Sequence, residues 1–487
     1  MRGILNFALL LTVVLLSGCA VNPVTGQQDV VLMSEEQEIA LGRKYHQEVL
    51  QQYGVYDNQE LQAYVNNVGE KLAANSHRRD LIYRFTVLDS KDVNAFALPG
   101  GYIYITRGLL AYMNSEAEMA AVLGHEIGHV TARHAVRQYT AAQLANIGAA
   151  LGAVFIPGMN TAGTSQLVQL FGTAILRGYG RDHELQADQL GAEYLARVDY
   201  DPEAMLDVIR TLKDQEVFET RIAQTEGREP RVYHGLFSTH PDNDTRLKEI
   251  IGEARKYRTA ASTYLGREAY LDKINSLIYG DSPKEGIVRD NSFYHPVLGF
   301  ALRIPSNWNV TNRPDQLLLT APGGAAIMQL AVQDINKRVP PREFMLTRLG
   351  LKDLSQDTSL DINGLAAHTG LAPINTGFGK RKARFTTIYF NDKAYILGGV
   401  TKDQEAAGEY DRFFLETAQS FHAMNENERA LAKPLKISIK PADDKTTFPD
   451  LARQSPLKTY PEEQLRLLNG MFPKGEPRAD MMLKVIE

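Results

Sequence analysis

Two histidines and a glutamate in one short segment carry the chemistry that this sequence indicates first. The segment is His125-Glu126-Ile127-Gly128-His129, within residues 115–137, whose apolar positions recur at helical intervals. Residues four apart share one face of a helix, so His125 and His129 could hold one metal ion. Glu126 would then reach water at the metal, and zinc suits such a set of ligands. Because the segment is short, a chance occurrence is the alternative.

A second acidic segment could supply the third metal ligand. Glu184 and Asp188 lie four residues apart in residues 184–198, which are amphipathic and predict another helix. Glu184 could complete the site, and Asp188 could accept a hydrogen bond from the outer nitrogen of a ligand histidine and fix its tautomer. The small residues Ala187 and Gly191 would permit close packing of this helix. A solvated acidic helix face is the alternative.

Together with two further segments, these motifs resemble the gluzincin metallopeptidases, in the family of the CAAX prenyl endopeptidase, HtpX and the BepA-like periplasmic proteases. The resemblance covers roughly residues 22–270, and its segments follow in family order: residues 94–105, 125–129, 184–188 with 200–202, and 239–241 followed by Arg246. It implies a mainly helical zincin-type protease domain with a small sheet. It also implies one zinc ion per chain bound by His125, His129 and Glu184, with Glu126 as general base and with Asp188 and Arg246 around the ligands.

The first of these segments predicts a strand close to the metal. Residues 95–105 alternate in polarity around a Pro-Gly-Gly turn, which is typical of a hairpin or an edge strand. An edge strand could bind a peptide substrate by β-augmentation. The binding segment would be Asn94, Ala95, Phe96 and Ala97. An ordinary structural strand is the alternative.

Three other histidines need an interpretation. By the resemblance, His240 lies near the metal, where it would either stabilise the oxyanion or close the fourth ligand position. A solvated loop histidine is the alternative. His134 follows His129 by five residues and so falls off the ligand face, and His183 points away from Glu184. We interpret His134 and His183 as structural residues or as neighbours of the ligands.

The N-terminus predicts export and a lipid anchor. After a basic start, residues 4–16 form an apolar run too short to span a bilayer comfortably, and Leu16-Ser17-Gly18-Cys19 follows. This resembles a bacterial lipoprotein signal, with residues 1–18 removed and lipid attached to Cys19, the only cysteine in the chain. Ala20 favours the outer membrane, facing the periplasm. A plain signal peptide is the alternative.

The composition is that of an ordinary globular α+β protein with several domains. With 44% hydrophobic residues, 23% charged residues and a net charge of −5, the chain gives no case for nucleic acid as a partner. We predict a tether at 19–30, the metallopeptidase domain at 31–280 and an α+β accessory domain at 287–425 that resembles PsbP and Mog1. The apolar stretches within 141–176 could be buried helices, a flap or a membrane contact.

The tail at 433–487 has a different pattern. Its predicted β-α-α-β order resembles a degenerate LysM module, which would make peptidoglycan a partner. A tail packed on the other domains is the alternative.

The sequence as a whole predicts a lipid-anchored, zinc-dependent endopeptidase that cleaves misfolded or misassembled proteins of the cell envelope. The alternative is a non-catalytic assembly factor or chaperone, whose zinc site is structural or held shut by His240. Glu126 argues against that alternative, because a purely structural zinc site needs no general base.

Overall fold

The computed structural model of the chain describes residues 19–141, 179–226, 243–313, 316–376 and 378–487. The chain divides into two compact units. The first combines the residues up to Leu50 with Gly54–Tyr279 and Leu435–Glu487, and the second combines Gly280–Pro434 with Gln51–Tyr53. The chain therefore leaves the first unit after Tyr279 and returns to it at Leu435.

The part of the first unit before residue 280 is mainly helical, with a small sheet, as predicted. Its described helices are α1 (Glu35–Tyr53), α2 (Gln59–Ala73), α3 (Arg107–Tyr112), α4 (Glu116–Thr131), α5 (Arg181–Arg197), α6 (Ala204–Thr225), α7 (Asn243–Tyr257) and α8 (Arg267–Ile274). Its described strands are β1 (Cys19–Val21), β2 (Gln28–Val30), β3 (Arg84–Leu88), β4 (Ala95–Leu98), β5 (Tyr102–Thr106) and β6 (Ile278–Tyr279). None of the helices within the described ranges is both long and apolar enough to cross a bilayer.

The three-stranded sheet contains the predicted hairpin. Its strand order is β3-β5-β4, with β3 parallel to β5 and β4 antiparallel to it, so that Ala95 lies opposite Ile105. Gly100 and Gly101 form the turn with positive φ of 76° and 85°, which glycine adopts without steric penalty. Strand β4 is therefore an edge strand of this sheet.

Residues 19–30 form a hairpin rather than the flexible tether that the sequence predicts. Strand β1 pairs antiparallel with β2, and Cys19 lies opposite Val30. The Asn22 side chain accepts the backbone N–H groups of Val24 and Thr25 and donates to Asp29 at 2.7 Å. These local bonds give the segment a defined turn, which its composition did not reveal.

Helix α4 is the central element of the first unit. Ser115 caps its N-terminus by accepting the Glu118 N–H, and every residue from Ala117 to Thr131 is buried. Helix α5 crosses α4 where small residues meet: a Cβ on Gly124 would lie 3.3 Å from Gly191 Cα, and one on Gly128 would lie 3.0 Å from the Ala187 carbonyl oxygen. The predicted close packing through Ala187 and Gly191 is thus confirmed.

Helix α4 ends earlier than the sequence predicts. The predicted helix runs through residues 115–137, but α4 stops at Thr131 and a turn at residues 132–133 separates it from helical residues 134–141. Arg133 has a positive φ of 53°, and its guanidinium donates to Glu38 at 2.9 Å. Glu38 also accepts from Arg78 at 2.8 Å, and all three side chains are buried. This ion-pair cluster connects α1 to the end of α4, a long-range contact that helical periodicity cannot indicate.

The second unit is an antiparallel structure with its own core. Its larger sheet has the order β10 (Asn309–Arg313), β11 (Gln316–Thr320), β12 (Ala326–Asp334), β16 (Lys393–Thr401), β15 (Gly379–Phe390), β14 (Leu365–Thr376) and β13 (Ser355–Ile362). Its smaller sheet has the order β17 (His422–Ala423), β9 (Phe300–Arg303), β8 (Ser292–His295) and β7 (Ile287–Arg289). Its helices are α9 (Pro341–Thr347), α10 (Ala407–Gln419) and α11 (Glu426–Leu431). The unit combines strands and helices, as the sequence predicts for residues 287–425.

The C-terminal segment has the predicted β-α-α-β order and belongs to the first unit. It consists of β18 (Leu435–Pro441), α12 (Phe448–Gln454), α13 (Pro461–Leu468) and β19 (Met482–Ile486). Strand β18 pairs with β19 on one side and with β6 on the other. Ile437, Phe448 and Leu465 share a hydrophobic core with Leu123 of α4. This packing agrees with the alternative in which the tail packs on another part of the protein. The likeness to LysM stays a prediction.

Candidate metal centre

The structure brings the three predicted metal ligands together. His125 and His129 project from successive turns of α4, and Glu184 projects from the first turn of α5. The two Nε2 atoms lie 3.0 Å apart, and each lies 3.5 Å from one carboxylate oxygen of Glu184. All three side chains are buried, and one potential ligand atom from each lies within 4.8 Å of the others.

These distances fit a tetrahedral metal ion. With bonds of about 2.0–2.1 Å, neighbouring ligands of a tetrahedral zinc ion lie about 3.3–3.4 Å apart. The observed separations of 3.0, 3.5 and 3.5 Å bracket that value. Two imidazoles and one carboxylate are also a known ligand set of catalytic zinc, which leaves one position for water or substrate.

Asp188 holds His125 as the sequence predicts. Its Oδ1 accepts a hydrogen bond from His125 Nδ1 at 2.8 Å, so that Nε2 faces the metal position. Burial opposes charge on both groups, but the Asp188 carboxylate outweighs burial and raises the pKa of His125 to about 9. Arg246 on α7 donates to both oxygens of Asp188 at 2.7 Å, and this guanidinium, with His125, holds the pKa of Asp188 below its usual value despite burial.

His134 lies closer to the site than the sequence suggests. On one continuous helix, a side chain five positions after His129 would point away from the face that carries the ligands. The turn at residues 132–133 brings it back, and His134 Nδ1 lies 2.9 Å from His129 Nδ1. On its other side, His134 Nε2 donates to Gln186 Oε1 at 2.9 Å. Burial lowers the pKa of His134 to about 3, so its ring is neutral near pH 7.

His183 contacts the site through its ring. It stacks on His134, with ring centroids 4.3 Å apart and an interplanar angle of 17°. This contact agrees with the predicted role of His183 as a structural residue or a neighbour of the ligands.

Glu126 and Tyr179 complete the buried surroundings of the ligands. Glu126, next to His125 on α4, is fully buried. The Tyr179 ring stacks on His129 with centroids 4.1 Å apart and an interplanar angle of 19°. Burial, together with Glu126 and Glu184, raises the pKa of Tyr179 above its ordinary value, so the phenol stays protonated. Sequence reasoning missed Tyr179, because no spacing rule connects it to His129.

The edge strand β4 lies beside the ligand helix. Its end and the turn after it line one small cavity together with the end of α4; the lining residues are Glu38, Ala97, Leu98, Pro99, His129, Val130, Arg133, Ala135, Val136 and Tyr179. Ala95 and Ala97 are buried, and Phe96 stacks on Tyr104 with centroids 4.8 Å apart. The backbone of Asn94 is bonded to Thr106, through its N–H at 3.1 Å and its carbonyl at 2.9 Å.

Two predicted features lie outside the described residues. One is His240, so its role as oxyanion donor or as fourth ligand stays a prediction. The other is the segment 142–176, the greater part of the two apolar stretches, for which buried helices, a flap and a membrane contact all stay predictions.

Two packed helices that gather a buried His-His-Glu set, with a glutamate next to the first histidine, define a metallopeptidase domain. Residues 59–254 match the family model described as Peptidase family M48, so this part of the chain is similar to that family. The matched residues contain the three ligands, Glu126, Asp188 and Arg246.

Several named proteins are similar to this domain. The beta-barrel assembly-enhancing protease of Escherichia coli (strain K12) is 28% identical over 256 residues, which are 50% of this chain and 50% of that protein. The protein of the same name from Yersinia pestis is 28% identical over 244 residues, 48% of each chain. The mitochondrial metalloendopeptidase OMA1 of Schizosaccharomyces pombe is 27% identical over 50% of this chain and 69% of its own. This chain thus spans about half the length of the enterobacterial relatives.

Two solved structures are similar over a smaller part of the chain. Cyanobacterial PsbP from Synechocystis sp. PCC 6803 is 14% identical with a TM-score of 0.23, over 30% of this chain and 98% of its own. The Ran-binding protein Mog1p of Saccharomyces cerevisiae is 10% identical with a TM-score of 0.21, over 27% and 93%. Scores this low assign no fold, so the likeness of residues 287–425 to PsbP and Mog1 stays a prediction.

Proposed function

We propose that this protein is a zinc-dependent endopeptidase that cleaves misfolded or misassembled proteins of the bacterial cell envelope. One observation carries the proposal: three buried ligand atoms from His125, His129 and Glu184 stand at the separations of a tetrahedral metal site. The match of residues 59–254 to the model of peptidase family M48 supports the reaction class.

The residues around the ligands suit peptide hydrolysis. A bound zinc ion would supply Lewis acidity, which makes water ionise near neutral pH and polarises a carbonyl oxygen. Glu126 would act as general base: it takes a proton from the attacking water and returns it to the leaving amine. Glu126 is buried, so solvent water does not compete with the attacking water for its carboxylate. Asp188 and Arg246 would keep His125 oriented throughout.

The substrate would bind as an added strand. Strand β4 is the edge of its sheet, and its end lines a cavity with His129. A peptide in extended form could pair with Ala95–Leu98 and present a bond to the metal. Backbone hydrogen bonds depend little on the side chains of the peptide substrate. Such binding suits an enzyme that acts on unfolded segments of many proteins.

The envelope location rests on the N-terminal pattern and on the names of relatives. The segment before Cys19 resembles a lipoprotein signal, and two relatives are named beta-barrel assembly-enhancing proteases. We expect Cys19→Ser to release the protein from membranes, since the lipid would supply the attachment. A variant that still sediments with membranes in high salt would contradict the anchor.

The decisive experiment compares Glu126→Gln with wild type for zinc content and for cleavage of an unfolded protein such as casein. We expect the variant to keep its zinc and to lose at least about 10²-fold in proteolysis, the usual size of a general-base contribution. Glu193→Gln is the matched control, because Glu193 lies on α5 and pairs with the exposed Arg197. Near-normal cleavage by zinc-replete Glu126→Gln would contradict the mechanism. A wild type that binds zinc but cleaves nothing would favour the assembly factor instead.

A further inference from the structure

The two histidine ligands have different partners behind their rings. His125 Nδ1 faces the carboxylate of Asp188, whereas His129 Nδ1 faces the ring nitrogen of His134 at 2.9 Å. An aspartate can only accept, so the tautomer of His125 is fixed by its partner. A histidine can either donate or accept, so the tautomer of His129 depends on which nitrogen of His134 carries the proton.

Gln186 decides the direction of that hydrogen bond. Its Oε1 accepts from Arg137 Nη1 at 3.3 Å and lies 2.9 Å from His134 Nε2. A carbonyl oxygen only accepts, so His134 must carry its proton on Nε2. A histidine that binds a metal through Nε2 carries its proton on Nδ1, so His129 donates from Nδ1 and His134 accepts at its own Nδ1. The Nε2 lone pair of His129 is left facing His125 and Glu184.

We propose that His134 is a positioning residue for the metal site, which together with Gln186 sets the tautomer and the ring orientation of His129. This proposal rests on the proposed zinc site. Its effect is on metal affinity, because a ligand histidine with the wrong tautomer presents an N–H to the metal.

The surrounding residues are arranged to keep this chain of hydrogen bonds in place. His134 is fully buried, and its ring is stacked against His183 at 4.3 Å. Arg133, in a positive-φ conformation and bonded to Glu38, forms the turn that points His134 toward His129.

The test measures zinc affinity of the full chain by competition with a chromophoric chelator. His134→Phe keeps a ring but removes the acceptor, and we expect its zinc Kd to rise about 10–100-fold, the usual effect of losing a partner behind a metal ligand. His134→Gln places an amide oxygen near His129 Nδ1 and should restore most of the affinity. Gln186→Leu leaves His134 intact but removes its acceptor, and it should raise the Kd in the same direction by less. The Gln186→Leu variant tests the proposal even if His134→Phe fails to fold.

The control is His77→Leu. His77 lies 2.7 Å from the hydroxyl of Tyr194 on α5, and that hydroxyl also contacts Thr131 of α4. Among the described residues, the hydrogen bonds of His77 go to Tyr194 and Arg197 and not to a metal ligand. We expect its zinc Kd to stay at the wild-type value. Nitrogen-15 NMR of the imidazoles should show a proton on His129 Nδ1 in the zinc-loaded wild type, a signal that mere packing would not produce.

Two results would overturn the proposal while the proposed function stands. One is an unchanged zinc Kd in folded His134→Phe. The other is an equal loss of affinity in the Phe and Gln variants, which would mean that His134 acts by shape alone. If the wild type bound no zinc at all, the proposed function itself would fail.

Discussion

Arg246 binds Asp188 through two hydrogen bonds of 2.7 Å, from Nε to Oδ2 and from Nη2 to Oδ1. A residue of α7 thus fixes the carboxylate on α5 that orients His125 on α4. Both groups of the pair are buried, so the bidentate geometry matters more than it would at the surface.

The first prediction concerns this pair. Arg246→Lys keeps the charge but cannot bind both carboxylate oxygens in one plane, so Asp188 becomes free to tilt away from His125. We expect the zinc Kd to rise about 10–100-fold in a folded protein, as for the loss of other partners behind metal ligands. Arg258→Lys is the control, because Arg258 pairs with Asp201 and Glu203 near the surface. Equal zinc affinities of Arg246→Lys and wild type would show that the bidentate contact between Arg246 and Asp188 is dispensable.

The second prediction concerns the crossing of α4 and α5. Gly128→Ala would place a Cβ 3.0 Å from the carbonyl oxygen of Ala187 and 3.1 Å from its Cα, so the two helices must move apart. We expect a loss of about 1–3 kcal/mol in the free energy of unfolding, the usual effect of overpacking, and weaker zinc binding. Circular dichroism during denaturant unfolding and chelator competition would measure the two effects.

A glycine-to-alanine control is available on another helix. Gly252 lies within α7, and a Cβ there would meet no atom of the described residues within 4 Å. Gly252→Ala should stabilise the protein by roughly 0.5–1 kcal/mol, because alanine favours the helix. If both variants changed stability with the same sign, the close approach of α4 and α5 would not be the cause.

The third prediction concerns the docking of the C-terminal segment. Lys484 on β19 is fully buried, and its Nζ donates to the carbonyl oxygens of Ala111 and Met113 at 2.8 Å each. Lys484→Met would leave these carbonyls without their donor, and we expect a loss of about 1–3 kcal/mol in the free energy of unfolding. Lys440→Met, which affects an exposed lysine of β18, should change it little. Stability unchanged by Lys484→Met would favour an independently folded module.

The fourth prediction is a pH dependence in the second unit. Burial lowers the pKa of His295 from its ordinary value to about 4. A lowered pKa in the folded state means that the stability from neutral His295 is complete above about pH 6.5 and is lost as the pH falls through 4. His295→Gln should remove this part of the acid sensitivity. At about 1.4 kcal/mol per pKa unit, the difference between the two proteins should be on the order of 1–3 kcal/mol at low pH.

The measurement can be confined to the second unit. Trp308 is the only tryptophan in the chain, and it is buried in the core of that unit. Its fluorescence during urea unfolding at pH 7 and at pH 4 therefore reports on the unit that contains His295. Parallel pH profiles for wild type and His295→Gln would contradict the prediction.

Periodicity and spacing predicted the parts of the site that lie along single helices. His125 and His129 share a face because they are four apart, and the same rule found Glu184 and Asp188. The rule failed at His134, because the turn at Arg133 interrupts the helix. That turn depends on Glu38, almost a hundred residues earlier in the chain, and no local pattern contains such a contact.

The fold shows the same division between local and distant information. The hairpin of β4 and β5 was predicted from alternation and a Pro-Gly-Gly turn, which are local signals. The pairing of β18 with β6 joins residues that are far apart in sequence, and neither strand specifies its partner. The composition of the tail was therefore compatible with a separate module and with a docked one.

The return of the chain to the first unit at Leu435 has a consequence for its biosynthesis. A ribosome delivers β6 well before β18, with the whole stretch Gly280–Pro434 translated in between. During that interval the carbonyls of Ala111 and Met113, just ahead of the helix that bears the metal ligands, lack the hydrogen-bond donor Nζ of Lys484. The order of translation therefore leaves these two carbonyls without this donor until β19 has been made.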